Sequence, residues 1–236
     1  MEHAGAKLLP FYLVVDVSFS MDRPKLAAAN NILPAIVDAL AENPILSDKV
    51  RFGMIDFADD AQVRLPLCDL LDPNLQLPGL VARGGTNFTA AFQTLRKEME
   101  ANVAQLKADQ YLVHRPAVWF ISDGEPLDAE ASWRSAFGDL TSLRAYPNFI
   151  PCGVDEADVK VMGSLIHPAQ GNKKMALYMM EPGFDPASAI TAMAEILISS
   201  MIQSGHSLAD GNTGVILPPK SSLPAGVKQY DPDDFV

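Results

Sequence analysis

Cysteine and histidine are scarce in this sequence: two of the first and four of the second in 236 residues. Cys68 and Cys152 lie far apart and match no metal-ligand spacing, so they read as reduced, buried thiols; a disulfide is the alternative. His3, His114, His167 and His206 are scattered, with no H-x-x-x-H and no Cys/His cluster, which leaves zinc chemistry without its usual ligands. There is no G-x-G-x-x-G, no Walker A and no G-x-S-x-G, so the common nucleotide-binding and serine-hydrolase signatures are missing. No Lys/Arg-rich block occurs, and the formal charge is −11 with a pI near 4.7. That balance speaks against nucleic acid and anionic membrane as partners. The apolar run after Lys7 is interrupted by Asp16 and followed by no small-residue cleavage site. It is neither a signal peptide nor a membrane span, and a cytoplasmic location is the expectation.

What is present is a globular chain, 48% hydrophobic and 20% charged, long enough for one large α/β domain. Its organising stretch is Phe11-Tyr12-Leu13-Val14-Val15-Asp16-Val17-Ser18-Phe19-Ser20. Five apolar residues without alternation fit a strand buried on both faces. In extended chain, residues two apart share a side, so Asp16, Ser18 and Ser20 converge just past the strand end. In an open parallel sheet, ligands bind there. Three hard oxygens suit Mg²⁺ or Mn²⁺ better than zinc.

Asp16-Val17-Ser18-Phe19-Ser20-Met21 resembles the D-x-S-x-S of von Willebrand factor A domains, the first segment of their metal-ion-dependent adhesion site. Gly84-Gly85-Thr86 before a helical pattern, and Ile121-Ser122-Asp123-Gly124 closing another buried strand, resemble the second and third segments in the family's order. The resemblance covers roughly residues 9 to 205. Phe19 departs from the pattern, since the family often has Gly there; the ligand positions are intact. The resemblance implies that Ser18, Ser20 and Thr86 bind a Mg²⁺ or Mn²⁺ through their hydroxyls, with Asp16 and Asp123 on the metal or on its waters. It also implies an open coordination position for an incoming carboxylate. Taken singly, each residue has a blander reading: hydroxyls as loop or helix caps, Asp123 as a turn residue. Glu125 reads as solvated and Asp22 as a helix cap. Phe19 and Met21 offer an apolar rim, whereas Phe88 reads as core.

The alternation of strands and helices predicts a doubly wound, mostly parallel sheet with helices on both faces and one antiparallel edge strand, made by the 50–57/62–67 hairpin. Residues 1–8 are expected as a leader. Pro34 is expected to kink the helix that Asp22 caps, and Gly205 to cap the last helix. Residues 1–205 then form the domain. Residues 206–236, with four prolines and an acidic end, form an extended tail. That tail is either solvated or docked, through Asp231, Asp233, Asp234 or the terminal carboxylate, on the metal site of its own domain or of a neighbour.

Three functions fit these residues. The leading one is a non-catalytic module that recognises a carboxylate on a protein partner through its metal. Its Gly-Gly-Thr-Asn segment and compact start resemble the bacterial tellurium-resistance or stress-associated branch, thought to act as scaffolds beside kinases and phosphatases. The alternative is a Mg²⁺-dependent phosphohydrolase using Asp16 or Asp123, although such enzymes usually carry a second carboxylate where Ser18 stands. A structural subunit with a vestigial site is the third.

Overall fold

Strand β1 (Lys7–Asp16) is buried along all but its first residue, so it needs a neighbour on each side and a layer on each face. The computed structural model, which describes residues 5–46, 48–212 and 214–235, supplies both. Strand β2 (Val50–Phe57) lies parallel to β1 on one side, with Asp16 opposite Phe57. On the other side lies β5 (Ala117–Ser122), also parallel, with Val15 opposite Ile121. A two-residue strand, β4 (Leu112–Val113), pairs with the start of β1. Beyond β2, β3 (Ala61–Cys68) folds back antiparallel. Beyond β5 come β6 (Asn148–Gly153) and β7 (Leu177–Met180), both parallel, then β8 (Val227–Tyr230), antiparallel. The order is β3-β2-β1-β5-β6-β7-β8. The chain thus leaves β1 in one direction and returns to its other side, and the switch point falls between β1 and β5.

Helices α1 (Arg23–Asn30), α2 (Ile32–Ala41) and α6 (Pro186–Ala209) pack together. Helices α3 (Phe88–Ala108) and α4 (Glu130–Thr141) form a second pair, and the short α5 (Val159–Gly163) leans on β6 and β7. Neighbouring strand residues serve opposite layers. Phe120 of β5 stacks on Phe57 at 5.0 Å and meets Phe88 of α3 edge-on at 4.9 Å, while the adjacent Trp119 stacks on Tyr178 at 5.6 Å. By length and composition α6 could cross a membrane (mean hydropathy 1.2), but 56% of that stretch is buried within this fold.

The sheet is mostly parallel with the antiparallel β3 edge, as the hairpin predicts. Four details differ. The strand begins at Lys7, so Lys7 and Leu8 are sheet rather than leader; residues 1–4 lie outside the described residues. The expected long helix breaks at Asn31, not at Pro34. Pro34 has no N–H to offer the carbonyl four residues back, at Asn30, so the ladder is interrupted there. Gly205 does not cap α6. The helix continues to Ala209, is capped by Asp210, and turns at Gly211 with φ +90°. Gly205 instead permits close approach, since a Cβ there would stand 2.5 Å from Leu46.

The fourth detail concerns the described residues of the expected tail, 206–212 and 214–235, which continue α6 and add a strand to the sheet rather than extend away from it. Val215, Val227 and Pro232 are buried, and β8 closes a second antiparallel edge. Asp231 and Asp233, two of the acidic groups expected to dock at the loops carrying Asp16, Thr86 and Asp123, pair with lysines instead; the terminal carboxylate of Val236, another docking group expected, lies outside the described residues. Asp231 pairs with Lys220 and Asp233 with Lys174, each at 2.7 Å, and Phe235 packs over Gly163. The segment's few apolar residues are too sparse to fold alone but sufficient to cover a sheet edge that already exists.

Candidate metal centre

Three loops meet at the carboxyl ends of β1 and β5. The first leaves β1 at Asp16 and is tied to β2 by the Val17 amide, which donates to Phe57 O at 2.9 Å. The second, residues 83–87, is sewn to the first by two backbone bonds: Arg83 N to Val17 O at 2.7 Å and Phe19 N to Gly84 O at 3.0 Å. The third leaves β5 at Ser122 and reaches the second through Leu127 N, which donates to Thr86 O at 2.8 Å.

Four of the five sequence-predicted residues share one hydrogen-bonded chain. Ser18 Oγ and Ser20 Oγ are 2.8 Å apart, and Ser20 Oγ donates to Asp123 Oδ1 at 2.7 Å. Asp16 Oδ1 accepts from the Ser18 amide at 2.8 Å, and its Oδ2 from Ser122 Oγ at 2.7 Å. Thr86, the fifth, is buried beside them, its hydroxyl 4.0 Å from where a Cβ on Gly124 would stand. Asp16, Ser18 and Asp123 are buried as well. Burial pushes the Asp16 carboxyl up to about 6. The hydrogen bonds from Ser18 and Ser122 oppose that shift, and the neighbouring Asp123 carboxylate adds to it.

Several residues that shape the site were not legible as such. Lys25 Nζ donates to Asp123 Oδ2 at 2.6 Å and to Asp155 Oδ2 at 2.7 Å, with its side chain only 6% exposed. Burial alone would lower its pKa, and the Asp123 and Asp155 carboxylates outweigh that and hold it above the ordinary lysine value. The available signal was its place in the first turn of α1, where the helix dipole disfavours a cation. Asp59 Oδ1 accepts from the Gly85 amide, and Gly84 sits at φ +57° against the same carboxylate. Asp128 accepts from the amides of Phe88 and Thr89, each at 3.0 Å, and from the Thr89 hydroxyl, fastening the third loop to the start of α3. Asp22 caps α1 as expected, accepting from Lys25 N, and Glu125 is exposed. Of the expected apolar rim, Phe19 is 74% exposed whereas Met21 is buried; Leu127, from the third loop, is 79% exposed.

The donor set is chemically specific. Among the described residues no three His, Cys, Asp or Glu side chains converge. The oxygens that do converge are hydroxyls and two carboxylates, a combination that fits a hard divalent ion and lacks the soft donors that favour zinc or copper.

A mostly parallel sheet with such oxygens at its switch point is the von Willebrand factor A or Rossmann-like α/β fold. Residues 11–125, which include Asp16, Ser18, Ser20, Thr86 and Asp123, match the sequence profile of the von Willebrand factor type A domain. No curated protein matches the sequence. Among solved structures, the chain is similar to the ArnB paralog VWA2 from Sulfolobus acidocaldarius: TM-score 0.52, 16% identity, 82% of this chain and 46% of that one. It is similar also to a von Willebrand factor type A protein from Catenulispora acidiphila: TM-score 0.55, 16% identity, 84% and 43%. A third is proximal thread matrix protein 1 from the mussel byssus, described with a zinc-occupied MIDAS motif: TM-score 0.58, 12% identity, 84% and 49%. At these identities the likeness is one of fold. The chain spans less than half the length of each of these structures.

Proposed function

We propose that this chain is, over its whole domain, a von Willebrand factor A-type interaction module. In this reading it binds one Mg²⁺ or Mn²⁺ through Ser18, Ser20 and Thr86, with Asp16 and Asp123 ligating directly or through water. The observation that carries it is the chain of oxygens from Ser18 through Ser20 to Asp123, at 2.8 and 2.7 Å, at the sheet's switch point. A bound ion would supply an electrophilic position for a carboxylate from a protein partner. The protein's own residues do the rest. Asp16 orients the first loop through the Ser18 amide, the Gly84-Gly85 turn brings Thr86 in, and exposed Phe19 and Leu127 offer apolar contact beside the ligand position.

We read the module as non-catalytic and cytoplasmic. All four oxygens of Asp16 and Asp123 already accept hydrogen bonds, which favours holding position over taking a proton and weighs against the phosphohydrolase reading. The narrower proposal, a scaffold of the tellurium-resistance or stress-associated type with kinase or phosphatase partners, rests on the Gly84-Gly85-Thr86-Asn87 segment.

The test is Mn²⁺ binding to the full chain, followed by electron paramagnetic resonance. One ion per chain is expected, lost in Asp16→Ala and in Ser20→Ala. Equal binding by wild type and both variants would refute the site, and Mg²⁺-dependent phosphatase turnover lost in Asp123→Ala would replace the module with an enzyme.

A further inference from the structure

Lys25 is a lysine where a divalent cation is expected to share ligands. Its ammonium has three donors, and two of them are committed to Asp123 Oδ2 at 2.6 Å and Asp155 Oδ2 at 2.7 Å. Asp123 has no side-chain exposure and Lys25 only 6%, whereas Asp155 is 40% exposed. The other oxygen of Asp123 faces Ser20. One carboxylate therefore stands between the Lys25 ammonium on one side and the hydroxyls of Ser20 and Ser18 on the other. Position 25 is also the third residue of α1, in the first turn where the helix dipole is positive. A cation there is maintained against the helix dipole by its carboxylate partners. Asp155 follows β6 and adopts a left-handed backbone, φ +53°, a conformation that aspartate tolerates better than most non-glycine residues.

We propose that Lys25 is an internal counter-cation that sets the affinity of the site, yielding Asp123 to an arriving divalent ion and remaining on Asp155. This rests on the metal reading above and goes beyond it, naming what the ion must displace and where that group goes. A divalent ion on the Ser20 side of Asp123 meets the positive charge of Lys25 across a single carboxylate, in a buried site where screening is weak. The four-carbon stem of lysine lets the ammonium pivot about its second partner. Asp155 is thereby the residue that makes displacement possible. It also connects ion arrival to the loop between β6 and α5, giving that loop one partner before the ion binds and a stronger hold on it afterwards.

The experiment is a double-mutant cycle on the full chain, with Mn²⁺ dissociation constants read by electron paramagnetic resonance and by calorimetry. Lys25→Met keeps the length of the side chain and removes its charge; it should bind Mn²⁺ about tenfold more tightly than wild type, a change of the size that outer-shell residues typically produce. Lys25→Gln is a second neutral variant should the methionine disturb folding. Asp155→Asn should weaken Mn²⁺ binding several-fold on the wild-type background, because Lys25 then leans on Asp123 alone, and should have no effect on the Lys25→Met background. Unchanged or weaker binding in both neutral variants would overturn the proposal while leaving the metal reading intact. Equal losses from Asp155→Asn on both backgrounds would make Asp155 an ordinary attractive charge and would also overturn it. If neither wild type nor Lys25→Met binds Mn²⁺, the metal reading falls and this proposal falls with it.

Discussion

Asp59 Oδ1 accepts a hydrogen bond from the Gly85 amide at 2.9 Å, and Asp59 Oδ2 lies 2.4 Å from where a Cβ on Gly84 would stand. A carboxylate at the exit of β2 is thus the mould for the loop that presents Thr86. Gly84 must be glycine twice over, for its φ of +57° and for this contact. Gly84→Ala should lower stability by about 1–3 kcal/mol through backbone strain. It should also weaken Mn²⁺ binding by at least about tenfold by moving Thr86. Asp59→Ala should weaken Mn²⁺ binding in the same direction with less loss of stability, since it removes the mould without adding a clash. Denaturant melts and Mn²⁺ titration of the two variants check both parts; a Gly84→Ala protein with native affinity would remove the loop from the site.

Phe19 and Leu127 project beside the ligand position, 74% and 79% exposed. Neither touches the oxygen network, so Phe19→Ser and Leu127→Ser should leave Mn²⁺ affinity unchanged. Apolar contact in an interface centre is commonly worth more than about 1 kcal/mol per anchor residue, so each should cost a partner roughly fivefold or more in affinity. The measurement is Mn²⁺ titration alongside retention of partner protein on the immobilised domain in Mg²⁺. Retention equal to wild type in the double variant would show that the apolar rim is not contacted.

At the opposite end of the sheet, His114 and His167 both stand below the ordinary histidine value. Burial is the first cause for each, followed by Lys7 and Lys173 for His114 and by Arg115 for His167. His167 Nε2 is buried without a hydrogen-bond partner, so a proton there would go unsatisfied. The folded pKa lies below the unfolded value of 6.5. The unfolded chain therefore binds more protons, and stability present above pH 6.5 is lost as the pH falls through the folded pKa values. Asp16, held up at about 6 in the fold, runs the other way and adds stability as the pH falls; between about pH 7 and pH 5 the histidines should therefore subtract from that gain, and His114→Asn with His167→Gln should make the protein relatively more stable at the acid end than wild type. Melts of both proteins across this range decide it; parallel slopes would assign the acid sensitivity to other groups.

Leu208, Val215 and Val227 are buried against the fold, and β8 pairs with β7. Cutting the chain after Gly205 removes buried Leu208 and Val215, and exposes the β7 edge that β8 covers. Losing two or more fully buried aliphatic side chains costs on the order of 3–5 kcal/mol, and an uncovered edge promotes association. The truncated protein should melt well below the full chain and aggregate, with or without Mg²⁺. A truncation as stable and as soluble as the full chain would restore the independent tail.

The β1 strand, the three loop segments and the alternating architecture were determined by the sequence alone, because each depends on local pattern. A continuous apolar run ending in Asp16-x-Ser18-x-Ser20 has one placement in a buried parallel strand, and Asp22 caps α1 within a turn of itself. The run of α6 through Gly205 and the seat of β8 needed the tertiary structure. Each depends on a contact with something distant: Leu46 against Gly205, β7 against β8. The same holds for the charge at the site. The Lys25–Asp123–Asp155 cluster joins positions 98 and 130 residues apart in sequence. No spacing rule reaches across such a distance. Only the fold, by bringing the first turn of α1 over the ends of β5 and β6, decides that the Asp123 carboxylate already has a cationic partner.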